Sequence, residues 1–163
     1  MALGAVVVLG VLAWRAFSPP SEPPATTEEP GQAVIYPDGA QAEADVAAAL
    51  VKAGREKKRV LLDFGGNWCG DCQVLEIYFH DATNQPLLAS HYVLVPVNIG
   101  RYDENLSLAA RYGVPVEKGV PALAVLEPNG QVIYTQRQGE FRSMRQLSSS
   151  AVTDFLMQWK AAA

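Results

Sequence analysis

Hydrophobic and polar positions along this chain fall into short blocks of two kinds. Residues 60–64, Val-Leu-Leu-Asp-Phe, are apolar without a break except at Asp63. An unbroken apolar run this short predicts a central strand, covered by helices on both faces. Before it, residues 40–55 are Ala-rich, with Val46, Leu50 and Ala53 at helical spacing and Glu43, Asp45, Lys52 and Arg55 elsewhere. That pattern predicts an amphipathic helix starting near Asp38 or Gly39, and Glu56-Lys57-Lys58-Arg59 reads as a solvated connector. After the strand, Gly65-Gly66-Asn67 turns the chain into a helix carrying Val74, Leu75, Tyr78 and Phe79. A short helix follows at 84–88 with Pro86 in its first turn, then a strand over 92–99 and a helix over 103–112 ended by Gly113. A strand over 122–126, a hairpin turn at Pro128-Asn129-Gly130 and a strand over 131–136 come next. A helix over 150–160, with Val152, Phe155, Leu156 and Trp159 facing inward, closes the chain. Alternating strands and helices that end in a hairpin predict an α/β fold, a mixed sheet between helices.

The N-terminal fifth reads differently. Residues 1–14 are apolar or Gly up to Arg15, a stretch of about 21 Å as helix against a hydrocarbon core of roughly 30 Å. It suits the apolar core of a signal or an uncleaved N-terminal anchor. No Lys or Arg precedes it and no Ala-x-Ala site follows. Residues 18–30 carry five prolines with Glu22, Glu28 and Glu29 and little to bury, the composition of an extended tether. The expected organisation is therefore an export or anchor segment over 1–17, a Pro/Glu-rich tether over 18–33 and one globular domain over 34–160. The expected location is extracytoplasmic, periplasmic in a bacterium, with membrane association through the N-terminus.

Composition narrows the chemistry. With 163 residues, 49% of them hydrophobic, the chain can bury a core without staples. A net charge of -4 with scattered cations excludes a phosphate-neutralising stripe, so nucleic acid is not an expected partner. The two cysteines, Cys69 and Cys72, cannot form a disulfide framework, and the loop between them is too short to restrain the unfolded chain. A Cys-x-x-Cys pair just after a strand is a redox motif first. Cys69 should stand at a helix N-terminus, where unpaired N–H groups favour a thiolate, so it is the candidate nucleophile. Cys72, one turn in and more buried, could resolve a mixed disulfide. The other readings are a zinc site, for which His80 and His91 lie too far apart in sequence, and inert thiols. A Gly-Gly turn without a following Lys and Ser or Thr is no phosphate loop. Asp63 is a carboxylate in an apolar strand, costly unless satisfied, protonated or used to cap the strand end.

Several separated positions together resemble the thioredoxin superfamily over residues 34–160. They are Asp63-Phe64 before the pair, Trp68-Cys69-Gly70-Asp71-Cys72, Val97-Asn98-Ile99, Tyr112-Gly113, Gly119-Val120-Pro121 and Asn129-Gly130. Within the superfamily the chain looks most like exported bacterial members with a membrane anchor. The resemblance implies a thioredoxin-like fold and thiol-disulfide exchange with protein substrates, Cys69 and Cys72 cycling between dithiol and disulfide. It makes Asp63 the buried acid that takes the Cys72 proton, and Val120-Pro121 a cis-proline loop pairing with substrate backbone, where a plain reading allows an ordinary trans proline. Trp68 would shield the thiols and shape the docking surface, or simply fill the core. No organic cofactor or metal is implied, but a partner reductase or membrane electron carrier is. Three positions depart from the pattern: Pro96 stands where thioredoxin has a Lys, Asp71 replaces a Pro between the cysteines, and residues 114–118 lengthen the loop before Pro121. The Asp71 charge should disfavour a nearby thiolate and lean the pair toward a reductant. A disulfide-introducing oxidant, and a tethered binding module with incidental cysteines, are the alternatives.

Overall fold

The computed structural model describes residues 34–162. The expected segment over 1–17 and the tether over 18–33 lie outside the described residues. Among the described residues nine α-helices and β-strands follow one another: α1 (Ala42–Glu56), β1 (Arg59–Gly65), α2 (Gly70–Phe79), α3 (Asn84–His91), β2 (Tyr92–Asn98), α4 (Leu106–Arg111), β3 (Ala122–Leu126), β4 (Val132–Thr135) and α5 (Ser149–Gln158). The sheet runs β2-β1-β3-β4. β1 pairs parallel with β2 and antiparallel with β3, and β3 pairs antiparallel with β4.

The apolar run of β1 occupies an interior position, with Val60, Leu61, Leu62 and Phe64 fully buried. Successive side chains of a strand point to opposite faces. Val60, Leu62 and Phe64 accordingly pack with Val46, Ala49 and Ala53 of α1 and Leu108 and Ala109 of α4. Leu61 joins Leu123 and Val125 against Leu75 and Phe79 of α2 and Val152, Phe155 and Leu156 of α5. The alanines of α1 bring its backbone close to the sheet, and the helix stops at Lys57, a left-handed cap with φ 55°. Arg59 fastens the far end of the core: it donates to the Trp159 and Lys160 carbonyls at 2.9 and 2.7 Å and pairs with Glu127 at 2.7 Å.

Two stretches differ from the sequence expectation. The helix expected over 103–112 forms only over Leu106–Arg111. Gly100, Tyr102 and Asn105 all take positive φ, and the N–H groups of Tyr102, Asp103 and Glu104 all converge on the Ile99 carbonyl, so the chain makes a tight loop there instead of a helical turn. Residues 137–148, for which the pattern indicated no element, bury Phe141 and Met144 in the α2/α5 core and include a 3-10 turn over Met144–Gln146.

Candidate active site

β1 ends at Gly65, and the chain enters α2 through Gly66, Asn67 and Trp68. The Cys69 N–H closes this turn on the Gly66 carbonyl at 2.9 Å. Cys69 is the N-cap of α2 in extended conformation, and its Sγ accepts from the Cys72 N–H at 3.1 Å. A helix N-terminus thus points an unpaired donor at this sulfur, the arrangement that favours a thiolate. The two cysteines form a disulfide with Cα atoms 5.2 Å apart. Both cysteines are buried, but Cys69 retains 5% exposure and Cys72 none, so what access the pair has lies at Cys69.

Asp63 lies on β1 with Pro96 of β2 and Leu123 of β3 as its neighbours in register. The position opposite it in β2 therefore offers no cation. Its partner is Tyr36, whose hydroxyl donates to Asp63 Oδ2 at 2.8 Å, while Oδ1 has none among the described residues. Burial pushes the Asp63 carboxyl up to about 7, the Tyr36 hydrogen bond working against the shift and Glu76 adding to it. Tyr36 is itself buried and held by Asn67, whose Oδ1 accepts from the Ile35 and Tyr36 N–H groups at 2.9 Å each and whose Nδ2 donates to the Tyr36 carbonyl at 2.9 Å. Gly65 lets these groups meet: a Cβ there would press into the Tyr36 ring and stand 2.9 Å from Cys72 Sγ. Tyr36, Gly65 and Cys72 thus form one contact under the pair.

The peptide bond between Val120 and Pro121 is cis. The Val120 carbonyl oxygen lies 3.6 Å from Cys69 Sγ, which brings this loop onto the cysteines. Gly119 precedes it at φ 115°, a conformation that favours glycine, and a Cβ there would meet Arg142 at 2.9 Å. Gln136, fully buried at the end of β4, donates through Nε2 to the Pro121 carbonyl at 3.2 Å. The added loop over 114–118 forms a 3-10 turn with Val114 and Val116 in the core, and Lys118 reaches the Arg137 carbonyl at 2.7 Å.

Trp68 is only partly buried, against the α1/α4 side of the core. Its Nε1 donates to the Gly100 carbonyl at 2.6 Å, Tyr102 packs 5.6 Å from its ring, and the Arg101 guanidinium stands 5.4 Å above it. The loop that displaces the first turn of the expected helix is the support of this tryptophan. Asp71, in the first turn of α2, pairs with Arg145 at 3.0 Å. Burial alone would raise the Asp71 carboxyl, but the hydrogen bonds and charge of Arg145 outweigh it and hold the group below its usual range. The anion expected to disfavour a thiolate is thus present, and it is paired with a cation that the sequence did not mark. His80 is the C-cap of α2 with Nδ1 3.0 Å from the Glu76 carbonyl oxygen, a helix-end position as expected. Among the described residues no three His, Cys, Asp or Glu side chains are grouped to share a metal ion.

The structure thus brings Cys69, Cys72 and Val120-Pro121 together, with Trp68 adjoining in the chain, and links Asp63 to them through Tyr36, which meets Cys72 at Gly65. Four residues that no sequence signal marked, Tyr36, Asn67, Gln136 and Arg145, complete the surroundings. Each acts through a contact across at least 15 residues of chain. A disulfide at the head of a helix, against a cis-proline loop and joined through Tyr36 to a buried carboxyl, defines a Cys-x-x-Cys redox-type site on a mixed sheet. A thioredoxin-like family model matches residues 41–128, and the chain belongs to that family. It is 32% identical over 77 residues to a thioredoxin of Haemophilus influenzae, covering 47% of this chain and 64% of the relative's length. Among solved structures, a disulphide isomerase from Xylella fastidiosa Temecula1 is 36% identical with a TM-score of 0.74, over 77% of this chain and 96% of that one. The oxidised C-terminal domain of DsbD from Neisseria meningitidis shares the fold at 18% identity, TM-score 0.53, over 76% and 97% of the two chains.

Proposed function

We propose that this protein is a thiol-disulfide oxidoreductase that exchanges disulfides with protein substrates. The observation that carries the reading is the Cys69–Cys72 disulfide at the N-terminus of α2, with slight exposure at Cys69 and none at Cys72. In the reducing direction, the Cys69 thiolate attacks a substrate disulfide; one substrate sulfur leaves as thiolate and the other stays bonded to Cys69. Cys72 then gives up its proton and attacks Cys69 Sγ, which forms the Cys69–Cys72 disulfide and releases the second substrate sulfur. Asp63 is the proposed acceptor of that proton, because a carboxyl that titrates near 7 can take and return one at neutral pH. Tyr36 orients it. The Val120 backbone, beside Cys69 Sγ, would pair with the extended substrate chain, and Trp68 would border it. Electrons enter and leave through other dithiols, so a partner reductase or a membrane electron carrier completes the cycle.

The reducing direction is proposed on Asp71, an anion in the first turn of α2, which works against a thiolate and so against an easily reduced disulfide. A reduction potential below that of glutathione supports it; a potential above makes the protein an oxidant. The apolar run over residues 1–14 and the Pro/Glu-rich stretch after it support a tethered position outside the cytoplasm. Mass spectrometry of the mature N-terminus in cell fractions tests this, and a full-length chain found in the cytosol would refute it. The exchange activity itself is tested by insulin reduction with dithiothreitol. The wild type should accelerate it and Cys69→Ser should not; equal rates would reduce the domain to a binding module with incidental cysteines.

A further inference from the structure

Asp71 and Arg145 are 74 residues apart in sequence, yet three contacts join them. The Arg145 backbone N–H donates to Asp71 Oδ1 at 3.0 Å, its Nε to the same oxygen at 3.2 Å and its Nη2 to Oδ2 at 3.0 Å. Two guanidinium donors on two carboxylate oxygens make a fork that fixes both side chains. The arginine is carried by a firm support: Met144 before it is fully buried, and the Leu147 carbonyl just after it accepts from the Tyr78 hydroxyl of α2 at 3.1 Å. The carboxylate retains 14% exposure and the arginine 70%. Asp71 occupies the first turn of α2 between the cysteines, where an anion and a Cys69 thiolate draw on the same N-terminal field.

We propose that Arg145 is a positioning residue of the redox site: by holding Asp71 in a forked pair it offsets the carboxylate charge beside the cysteines and makes the disulfide easier to reduce than Cys-Gly-Asp-Cys alone would be. This rests on Cys69 being the attacking thiol. A bidentate pair with a mostly covered carboxylate can also tie two segments together, so the role in the site is read from the redox equilibrium and not from stability alone. A charge within the first helical turn after a thiolate, at a partly solvated helix end, changes its stability by roughly threefold to tenfold. In the equilibrium with glutathione that is about 15–30 mV.

The test compares wild type, Arg145→Gln, Asp71→Asn and the double variant. The readouts are the equilibrium constant with glutathione at pH 7, the pH dependence of Cys69 alkylation by iodoacetamide, and thermal melting. Arg145→Gln should shift the equilibrium roughly threefold to tenfold toward the disulfide and raise the pH at which Cys69 becomes reactive. Asp71→Asn should do the opposite. With Asp71 gone the arginine is unanchored and screened, so adding Arg145→Gln should then have a much smaller effect. Equal shifts in both backgrounds would overturn the pairing, and lower melting with unchanged redox constants would make Arg145 only a tie between segments. A wild-type pair that does not exchange with glutathione overturns the oxidoreductase reading and this inference together; unchanged constants in an exchanging pair overturn this inference alone.

Discussion

The Asp63 carboxyl titrates near 7 because the desolvation of a fully enclosed carboxylate outweighs one hydrogen bond from Tyr36. The unfolded chain loses this proton near 3.8 and the folded protein holds it to about 7. Across that window the folded state binds more protons, so stability falls as pH rises, by an amount on the order of 4 kcal/mol once the group is ionised. Guanidinium unfolding of the oxidised protein should therefore show Asp63→Asn gaining on the wild type between pH 5 and pH 8; a gap that stays constant would contradict a raised carboxyl. Tyr36→Phe removes the hydrogen bond that stabilises the carboxylate, so the Asp63 carbon signal in NMR should titrate above 7, and a lower midpoint would remove Tyr36 from this role. At this scale Cys69, Cys72 and Asp63 were legible as exceptions in their surroundings, a thiol pair and a charge in an apolar run, and Pro121 through the family resemblance, since alone it reads as an ordinary proline before a strand. Tyr36 and Gln136 were not, since a lone aromatic and a lone amide acquire meaning only from the partners that folding gives them.

Among the elements, the short segment before α1 owes its place to a side chain of the β1–α2 turn. Asn67 makes three hydrogen bonds to the backbone of Ile35 and Tyr36. Asn67→Ala should cost about 2 kcal/mol and speed hydrogen exchange at the Ile35 and Tyr36 amides. Unchanged protection there would mean that the segment is held by Tyr36 packing alone. The central strand and α1 could be read from periodicity, which reports burial directly. The loop over residues 100–105 could not: Leu106, Ala109 and Ala110 do follow helical spacing, but Tyr102 and Asn105 are held in left-handed conformations by hydrogen bonds to Ile99, Asn98 and Gly39. That loop in turn supports Trp68, so the missed detail lies at the rim of the site.

Across the whole molecule, the sheet brings its chemistry to one edge of the core. β1 delivers Asp63 and the turn into α2, β3 begins immediately after the cis-proline loop, and residues 137–148 return Arg145 to the first turn of α2. The alternation of strands and helices made the mixed sheet legible in the sequence. The course of residues 137–148 was not, because Phe141 and Met144 are too far apart to set up a period. The central claim is a division of labour between Cys69 as the attacking sulfur and the fully buried Cys72 as the resolving one, and trapping tests it most directly. Reduced Cys72→Ser, mixed with a disulfide-bonded peptide, should accumulate a mixed disulfide at Cys69 that mass spectrometry locates, while Cys69→Ser should accumulate none at Cys72. A stable adduct on Cys72, or equal trapping by both variants, would contradict it.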